Sequence, residues 1–229
     1  MPKNLILQLE TATTMCSVAL SANGELLALK EHNERNIHAS EITLFIDDVM
    51  KKSGITYSQL DAIAVSKGPG SYTGLRIGVS TAKGLCFALD IPLISVDTLE
   101  AMASGFIKQH PDTDPSTLLC PMIDARRMEV YTTLFDLNMS QLEPVSAKVL
   151  DSETFDKYLS ARPVIFFGDG ADKTQALYAK SKHYRFVEFV NSAAHLSELS
   201  MQKLMKKDFE QVAYFEPFYL KDFIAGAAK

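Results

Sequence analysis

The order of the predicted elements constrains the fold more than any single motif, because one pattern occurs twice along the chain. It runs strand, strand, strand, helix, strand, helix, and the two copies share no sequence identity. Each hairpin must pair antiparallel and each crossover helix requires a parallel neighbour. The pattern therefore predicts an α/β protein of two lobes, each built on a mixed sheet. In the first copy, strands are predicted over 4–10, 15–21, 25–31, 62–66 and 92–96, and helices over 38–53 and 74–89.

The second half repeats this order with weaker signals. The segment GFIKQHPDTDPS (105–116) carries prolines and charges, so it is predicted to separate a first lobe, 1–104, from a second lobe, 105–229. The tail of the second lobe is able to pack back on the first. In this half, strands are predicted over 118–124, 128–136, 145–150, 163–168 and 186–190, and helices over 152–160, 171–180 and 193–206.

Composition and charge narrow the class of protein. The 229 residues carry a net charge of −5, and no run of basic residues is longer than pairs such as Lys206-Lys207. Both features argue against a chain that binds nucleic acid by itself. The three cysteines lie scattered in apolar stretches, as expected of reduced thiols in a cytosolic protein. Neither a signal peptide nor an apolar run of about 20 residues is found, so a cytoplasmic protein without a membrane span is expected.

A glycine-rich loop, SKGPGSYTGLRIG (66–78), follows the strand over 62–66 and leads into a helix. It lacks the lysine of a P-loop, and Thr73 stands where a dinucleotide-binding fingerprint needs its third glycine. Ser71 is displaced from the position it would hold in a G-x-S-x-G nucleophile elbow. The free N–H groups of a helix N-terminus attract anions in general. A tight strand-to-helix turn is the favoured interpretation, with phosphate binding as the alternative.

Metal and acid–base chemistry find little support in the sequence. No two histidines have the i, i+4 spacing of a helical zinc site, and His38 is followed by Ile42. Glu10 ends the first strand beside a threonine-rich turn, and Asp124 ends another strand just before Arg126 and Arg127, which suggests an ion pair or an anion contact. The weak candidates for cofactor binding are Glu10, Thr11, Gly68, Gly70 and Ser71, and no catalytic or metal-binding residue is assigned.

The helix over 74–89 is more informative than the loop before it, because its apolar residues surround the axis rather than forming one stripe. Gly74, Gly78 and Ala82 form a flat ridge over which another backbone could pass closely. Such a helix is buried either within its own lobe or between that lobe and a second protein, and Leu44 on the preceding helix favours the partner. The interface residues selected by helical geometry are His38, Leu44, Gly74, Arg76, Gly78, Thr81, Ala82 and Leu85.

Four segments together resemble one family. The hairpin ILQLETATTMCSVALS, the loop SKGPGSYTGLRIG, the segment MIDARRMEVY and the tail PFYLKD resemble, in this order, the bacterial TsaB (YeaZ) proteins across almost the whole chain. The resemblance implies the two-lobed actin-like ATPase fold of sugar kinases and heat-shock ATPases. TsaD-like proteins hold a metal with H-x-x-x-H on the first helix. Here Ile42 occupies the position of the second histidine after His38, so the resemblance implies that this site does not bind a metal.

The resemblance also implies a role. Family members act as non-catalytic subunits in forming threonylcarbamoyladenosine beside the anticodon of ANN-decoding tRNAs. They pair with the catalytic subunit TsaD, the ATPase TsaE joins them, and alone they form homodimers through the same helices. ATP and metal are then expected on partner subunits, and tRNA contact only within the complex, with Arg126 and Arg127 as a local basic patch. The alternatives are an ATP-binding kinase or ATPase of this fold using Glu10, Thr11 and Gly70, and more remotely a peptidase.

Overall fold

Two five-stranded mixed sheets with one topology form the frame of the computed structural model, which describes residues 3–221. In the first sheet the order is β3-β2-β1-β4-β5, and in the second it is β10-β9-β6-β7-β8. The repeated pattern in the sequence therefore corresponds to a repeated sheet. The strands are β1 Leu5–Glu10, β2 Met15–Ala22, β3 Glu25–Asn33, β4 Ala62–Gly68, β5 Leu93–Asp97, β6 Leu118–Asp124, β7 Glu129–Phe135, β8 Gln141–Val149, β9 Val164–Phe167 and β10 Tyr184–Val187.

The helices cover the faces of these sheets. They are α1 His38–Ser53, α2 Tyr72–Leu89, α3 Thr98–Gln109, α4 Asp156–Leu159, α5 Gln175–Tyr178 and α6 Ser197–Lys206, with 3₁₀ turns at Tyr57–Gln59, Ala171–Thr174 and Ala193–Leu196. Two local sequence features predict conformations that the structure has, because an Asn-Gly pair favours a hairpin turn and a glycine after a helical stretch favours the end of the helix. Asn23 and Gly24 form the β2–β3 turn with φ of 53° and 83°, and Gly54 ends α1 with φ of 68°.

The helix α3 forms a layer shared by the two sheets. Ala101 belongs to the core cluster on the first sheet, whereas Phe106 packs on the second, with its ring 4.6 Å from that of Phe167. The side chain of Asp97 begins the helix by accepting hydrogen bonds from the backbone N–H groups of Leu99 and Glu100. The predicted boundary segment 105–116 therefore begins inside a helix rather than in a loop.

The last helix returns to the first sheet although it follows the strands of the second. The 3₁₀ turn Ala193–Leu196 and α6 pack on the face opposite α1 and α2, where Leu196, Leu199 and Leu204 meet Ile6 and its neighbours. Farther along, the backbone of Glu210 pairs with Leu93 at the edge of β5. Residues 193–210 thus complete the core of the first lobe.

The ridge of small residues on α2 faces its own chain, which corrects the prediction that a partner backbone crosses it. A Cβ on Gly74 would lie 2.1 Å from the carbonyl oxygen of Thr11, and one on Gly78 would lie 2.2 Å from the Thr11 hydroxyl. Ala82 is fully buried on the same side. The glycines therefore let α2 approach the β1–β2 turn, and the free side of the helix is a different one.

We expect Gly74→Ala to lower the free energy of unfolding by about 1–3 kcal/mol, because the new methyl group would overlap the Thr11 backbone. The matched control is Gly84→Ala on the same helix, where a Cβ meets nothing within 4 Å. That variant should gain up to about 1 kcal/mol from the better helix propensity of alanine. Urea unfolding of both variants measures the difference, and equal effects of the two substitutions would contradict this packing.

Candidate functional site

The glycine-rich loop between β4 and α2 is held by contacts within the chain. Gly68 has φ of 117° and is joined to Pro69 by a cis peptide bond. Its N–H donates to the Thr98 hydroxyl at 3.1 Å. A Cβ on Gly68 would lie 2.6 Å from the carbonyl oxygen of Phe218. This glycine is therefore required by the conformation of the turn and by the tail, residues 211–221, which crosses over it.

Gly70 and Ser71 make a second internal junction, with the β1–β2 turn. The N–H of Ser71 donates to the carbonyl oxygen of Ala12 at 2.7 Å, and a Cβ on Gly70 would lie 2.5 Å from the same oxygen. The hydroxyl of Ser71 accepts the Gly74 N–H at 3.3 Å and so caps α2. A capping hydroxyl occupies one of the N–H groups that an anion would otherwise use.

Glu10 and Thr11, the two other weak candidates, are buried beside this junction. A carboxylate oxygen of Glu10 accepts the N–H of Ala12 at 2.6 Å and the hydroxyl of Ser66 at 2.9 Å. Burial is the largest influence on the carboxyl and raises its pKa to about 7, although these hydrogen bonds oppose the shift. The hydroxyl of Thr11 has no hydrogen-bond partner in the described part of the chain and lies against Gly78.

The polar residues of the second lobe also contact one another. A carboxylate oxygen of Asp124 accepts from Lys173 Nζ at 3.0 Å, and Asp169 accepts the N–H of Asp124 at 2.9 Å. The ion pair of Asp124 is thus formed with Lys173, whereas the side chains of Arg126 and Arg127 are exposed at the β6–β7 turn. Among residues 3–221, no cluster of three potential ligands could hold a metal ion.

The eight residues selected as an interface divide into buried and exposed sets. His38 is buried, with its Nε2 3.2 Å from the carbonyl oxygen of Met15, and Gly74, Gly78 and Ala82 pack inside the lobe. Leu44 and Arg76 are exposed, and Thr81 and Leu85 are half-buried. The structure therefore leaves only these last four accessible to a partner.

The exposed sides of α1 and α2 carry large apolar side chains. Leu44 on α1 is 57% exposed, and Phe87 near the end of α2 is 87% exposed, the highest value among the large apolar residues of the described range 3–221. Phe87 is not among the eight residues predicted for the interface. Exposed apolar side chains on two helices that contact each other can dock another protein, since burial of such side chains is the main favourable contribution to association.

The tail limits this surface on one side of α2. Lys83 Nζ donates to the carbonyl oxygens of Ala213 and Phe215 at 3.2 and 2.9 Å. The Tyr219 ring lies 4.8 Å from that of Tyr72, and the guanidinium of Arg76 stands 5.4 Å from the same Tyr72 ring. The tail thus covers one flank of α2 and fixes Tyr72 beneath Arg76.

None of the helices within residues 3–221 combines the length and apolar character that crossing a membrane would require.

Comparison with known proteins finds relatives along nearly the whole chain. The family model for TsaD, tRNA N6-adenosine threonylcarbamoyltransferase, matches residues 31–229. The tRNA threonylcarbamoyladenosine biosynthesis protein TsaB of Haemophilus influenzae is 30% identical over 226 residues, covering 95% of this chain and 93% of that protein.

Solved structures show the fold. YeaZ from Pseudomonas aeruginosa superposes with a TM-score of 0.81 at 23% identity, covering 95% of this chain and 100% of the other. The activator of the 2-hydroxyisocaproyl-CoA dehydratase from Clostridium difficile, with bound ADPNP, shares the fold at a TM-score of 0.52 and 8% identity, covering 90% and 98%. The chain therefore has the two-lobed actin-like ATPase fold and belongs to the TsaB (YeaZ) family, within the wider family that the TsaD model describes.

Proposed function

We propose that this protein is a non-catalytic subunit of the complex that forms threonylcarbamoyladenosine next to the anticodon of ANN-decoding tRNAs. In this role it docks and supports a TsaD-like catalytic subunit through α1 and α2. The observation that carries the proposal is the pair of exposed apolar side chains on these helices, Leu44 and Phe87. When the partner is absent, the same surface would pair with a second copy of the chain.

A supporting role is consistent with the chemistry of the glycine corner, by which we mean residues 10–12 and 66–71. Most of its polar groups are already engaged by the chain itself: Ser66 and Ala12 donate to Glu10, and Ser71 donates to Ala12 and caps α2. A nucleotide would have to compete with these internal bonds. We therefore place ATP and metal binding on partner subunits, with a TsaE-like ATPase among them, and tRNA contact within the assembled complex.

Replacement of the exposed apolar residues tests the docking surface. Leu44→Asp and Phe87→Asp should each weaken binding to a TsaD-like partner by about tenfold or more, because a desolvated apolar anchor becomes a charge at the interface. Calorimetric titration and a sizing column measure the loss. Val149→Asp is the matched control, since Val149 is 67% exposed on β8 in the other lobe. Undiminished binding by both α1 and α2 variants would count against this surface.

The pathway assignment is tested by nucleoside mass spectrometry of tRNA after depletion of the protein. Threonylcarbamoyladenosine should disappear, and wild-type protein should restore it. Glu10→Gln should restore it as well if the corner is structural, whereas the double variant Leu44→Asp/Phe87→Asp should not. Persistence of the modified adenosine after depletion would remove the assignment. Failure of a folded Glu10→Gln protein alone would point to chemistry at the corner.

The buried carboxyl of Glu10 predicts a pH dependence of stability. Its pKa is about 7 in the folded protein against an ordinary 4.5, so the folded state holds the proton more tightly than the unfolded chain. Stability should therefore fall as the pH rises from about 4.5 through about 7, by about 3 kcal/mol in all. Urea unfolding should show this decline in the wild-type protein and a flatter profile in Glu10→Gln. The same slope in both proteins would contradict it.

A further inference from the structure

The tail, residues 211–221, crosses from the first lobe to the second. Midway along it, the N–H of Phe218 donates to the carbonyl oxygen of Lys67 at 2.7 Å, at the glycine corner of the first lobe. At its far end, Lys221 forms an ion pair with Glu129, the first residue of β7 in the second sheet. The tail therefore connects the glycine corner to the β6–β7 turn of the other lobe.

The first half of the tail, residues 211–215, is anchored on the first lobe. Val212 and Phe215 pack against its hydrophobic core, and the N–H of Phe215 donates to the carbonyl oxygen of Gln211 at 2.9 Å. Just before this half, the N–H of Glu210 donates to a carbonyl oxygen of β5 at 2.9 Å. Apolar packing and backbone hydrogen bonds thus act together here.

The second half, residues 216–221, is held mainly at the surface. Its contacts are the hydrogen bond of Phe218, the ring of Tyr219 against that of Tyr72, and the ion pair of Lys221. The two side chains of this ion pair are 43% and 21% exposed. An ion pair this exposed shifts an equilibrium by at most about fivefold. A segment with such contacts can open while the rest of the protein stays folded.

One of these contacts reaches the proposed docking surface. The Tyr219 ring lies 4.8 Å from the Tyr72 ring, and Arg76 Nη1 donates to the Tyr72 hydroxyl at 3.1 Å. The side chain of Arg76 is exposed on α2, so Tyr72 lies between the tail and an accessible part of that helix. Movement of Tyr219 would therefore change the support of a residue on the docking surface.

We propose that residues 216–221 form a strap that opens and closes while residues 211–215 stay in place. The ion pair of Lys221 with Glu129 fastens the strap to the second lobe. In the closed position the strap supports the Tyr72 ring, which holds the arginine of the docking surface. The opening itself is independent of the docking function, whereas its effect on docking rests on that proposed function.

Hydrogen exchange of the backbone amides of the full chain measures the opening, because a protected amide exchanges while its hydrogen bond is broken. The Phe218 N–H should be protected, but less than the Phe215 N–H of the anchored half. Lys221→Met and Glu129→Gln should each speed exchange at Phe218 by about two- to fivefold and leave Phe215 unchanged. A Phe218 amide that exchanges without protection in the wild type would overturn the closed strap.

A double variant and a matched control identify the ion pair as the fastening. Lys221→Met/Glu129→Gln should exchange at Phe218 no faster than either single variant, because both substitutions break the same contact. Lys180→Met is the control, since Lys180 is exposed on the second lobe and forms no ion pair within residues 3–221. It should leave exchange unchanged. Additive effects in the double variant, or equal effects of the control, would contradict the assigned role of this pair.

Exchange in the presence of a TsaD-like partner tests the link to docking. A partner that binds the closed form better must stabilise it, so exchange at Phe218 should slow by about fivefold or more. Binding of the partner with unchanged exchange at Phe218 would overturn the link and leave the docking function intact. Failure of the partner to bind would instead contradict the docking function, and the exchange rates of the chain alone would still decide whether the strap exists.

Discussion

The close contact between α2 and the β1–β2 turn determines which side of α2 is exposed on the first lobe. Gly74 and Gly78 lie directly against Thr11, at a distance that no side chain would permit. Because this side of α2 packs on the turn, the rotation of the helix about its axis is set, and so is the side that faces away from the turn. It carries Arg76 and Phe87 and stands next to the exposed side of α1. The two glycines thus determine which side of α2 is available for docking, although they do not lie on that side themselves.

The same contact explains why the glycine corner resembles a binding loop. Loops that approach a phosphate and loops that approach another backbone both need residues without a Cβ. Here the approaching groups are the carbonyl oxygens of Ala12 and Phe218, which belong to the chain itself. The bonds that Ser71 makes then complete the junction. A glycine-rich motif therefore predicts that some group lies close to the loop backbone, but it does not identify whether that group is a ligand or part of the chain.

Much of the fold could be predicted from the sequence because local signals and the sheet topology agree. The helix over 38–53 was bounded correctly by its apolar spacing and by Gly54, and the Asn23-Gly24 turn fixed the β2–β3 hairpin. The helix α3 was missed. Its cap, Asp97, is also the last residue of β5, so no loop separates strand from helix, and its apolar residues face two different sheets rather than one.

The candidate site was predicted less well than the fold, for a related reason. Helical periodicity shows which residues share a side of α2, but it does not show which element covers that side. Gly78 and Ala82 were therefore assigned to a partner, although Thr11 and the core occupy their side. Phe87, on the free side of the helix, was not selected for the interface although it is exposed. The covering tail, with Lys83 bound to Ala213 and Phe215, depends on contacts about 130 residues apart and left no local signal.

The first sheet also separates the proposed docking surface from the helices on its other face. The helices α1 and α2 pack on one face, through residues such as Val18 and Val65, whereas α3 and α6 pack on the other, through Ile6 and Val96. A protein that covers α1 and α2 therefore leaves the face with α3 and α6 untouched. The link between the two faces is β1, because Glu10 at its end belongs to the glycine corner, and Asn191, in the segment before α6, is among the groups that lower the pKa of its carboxyl.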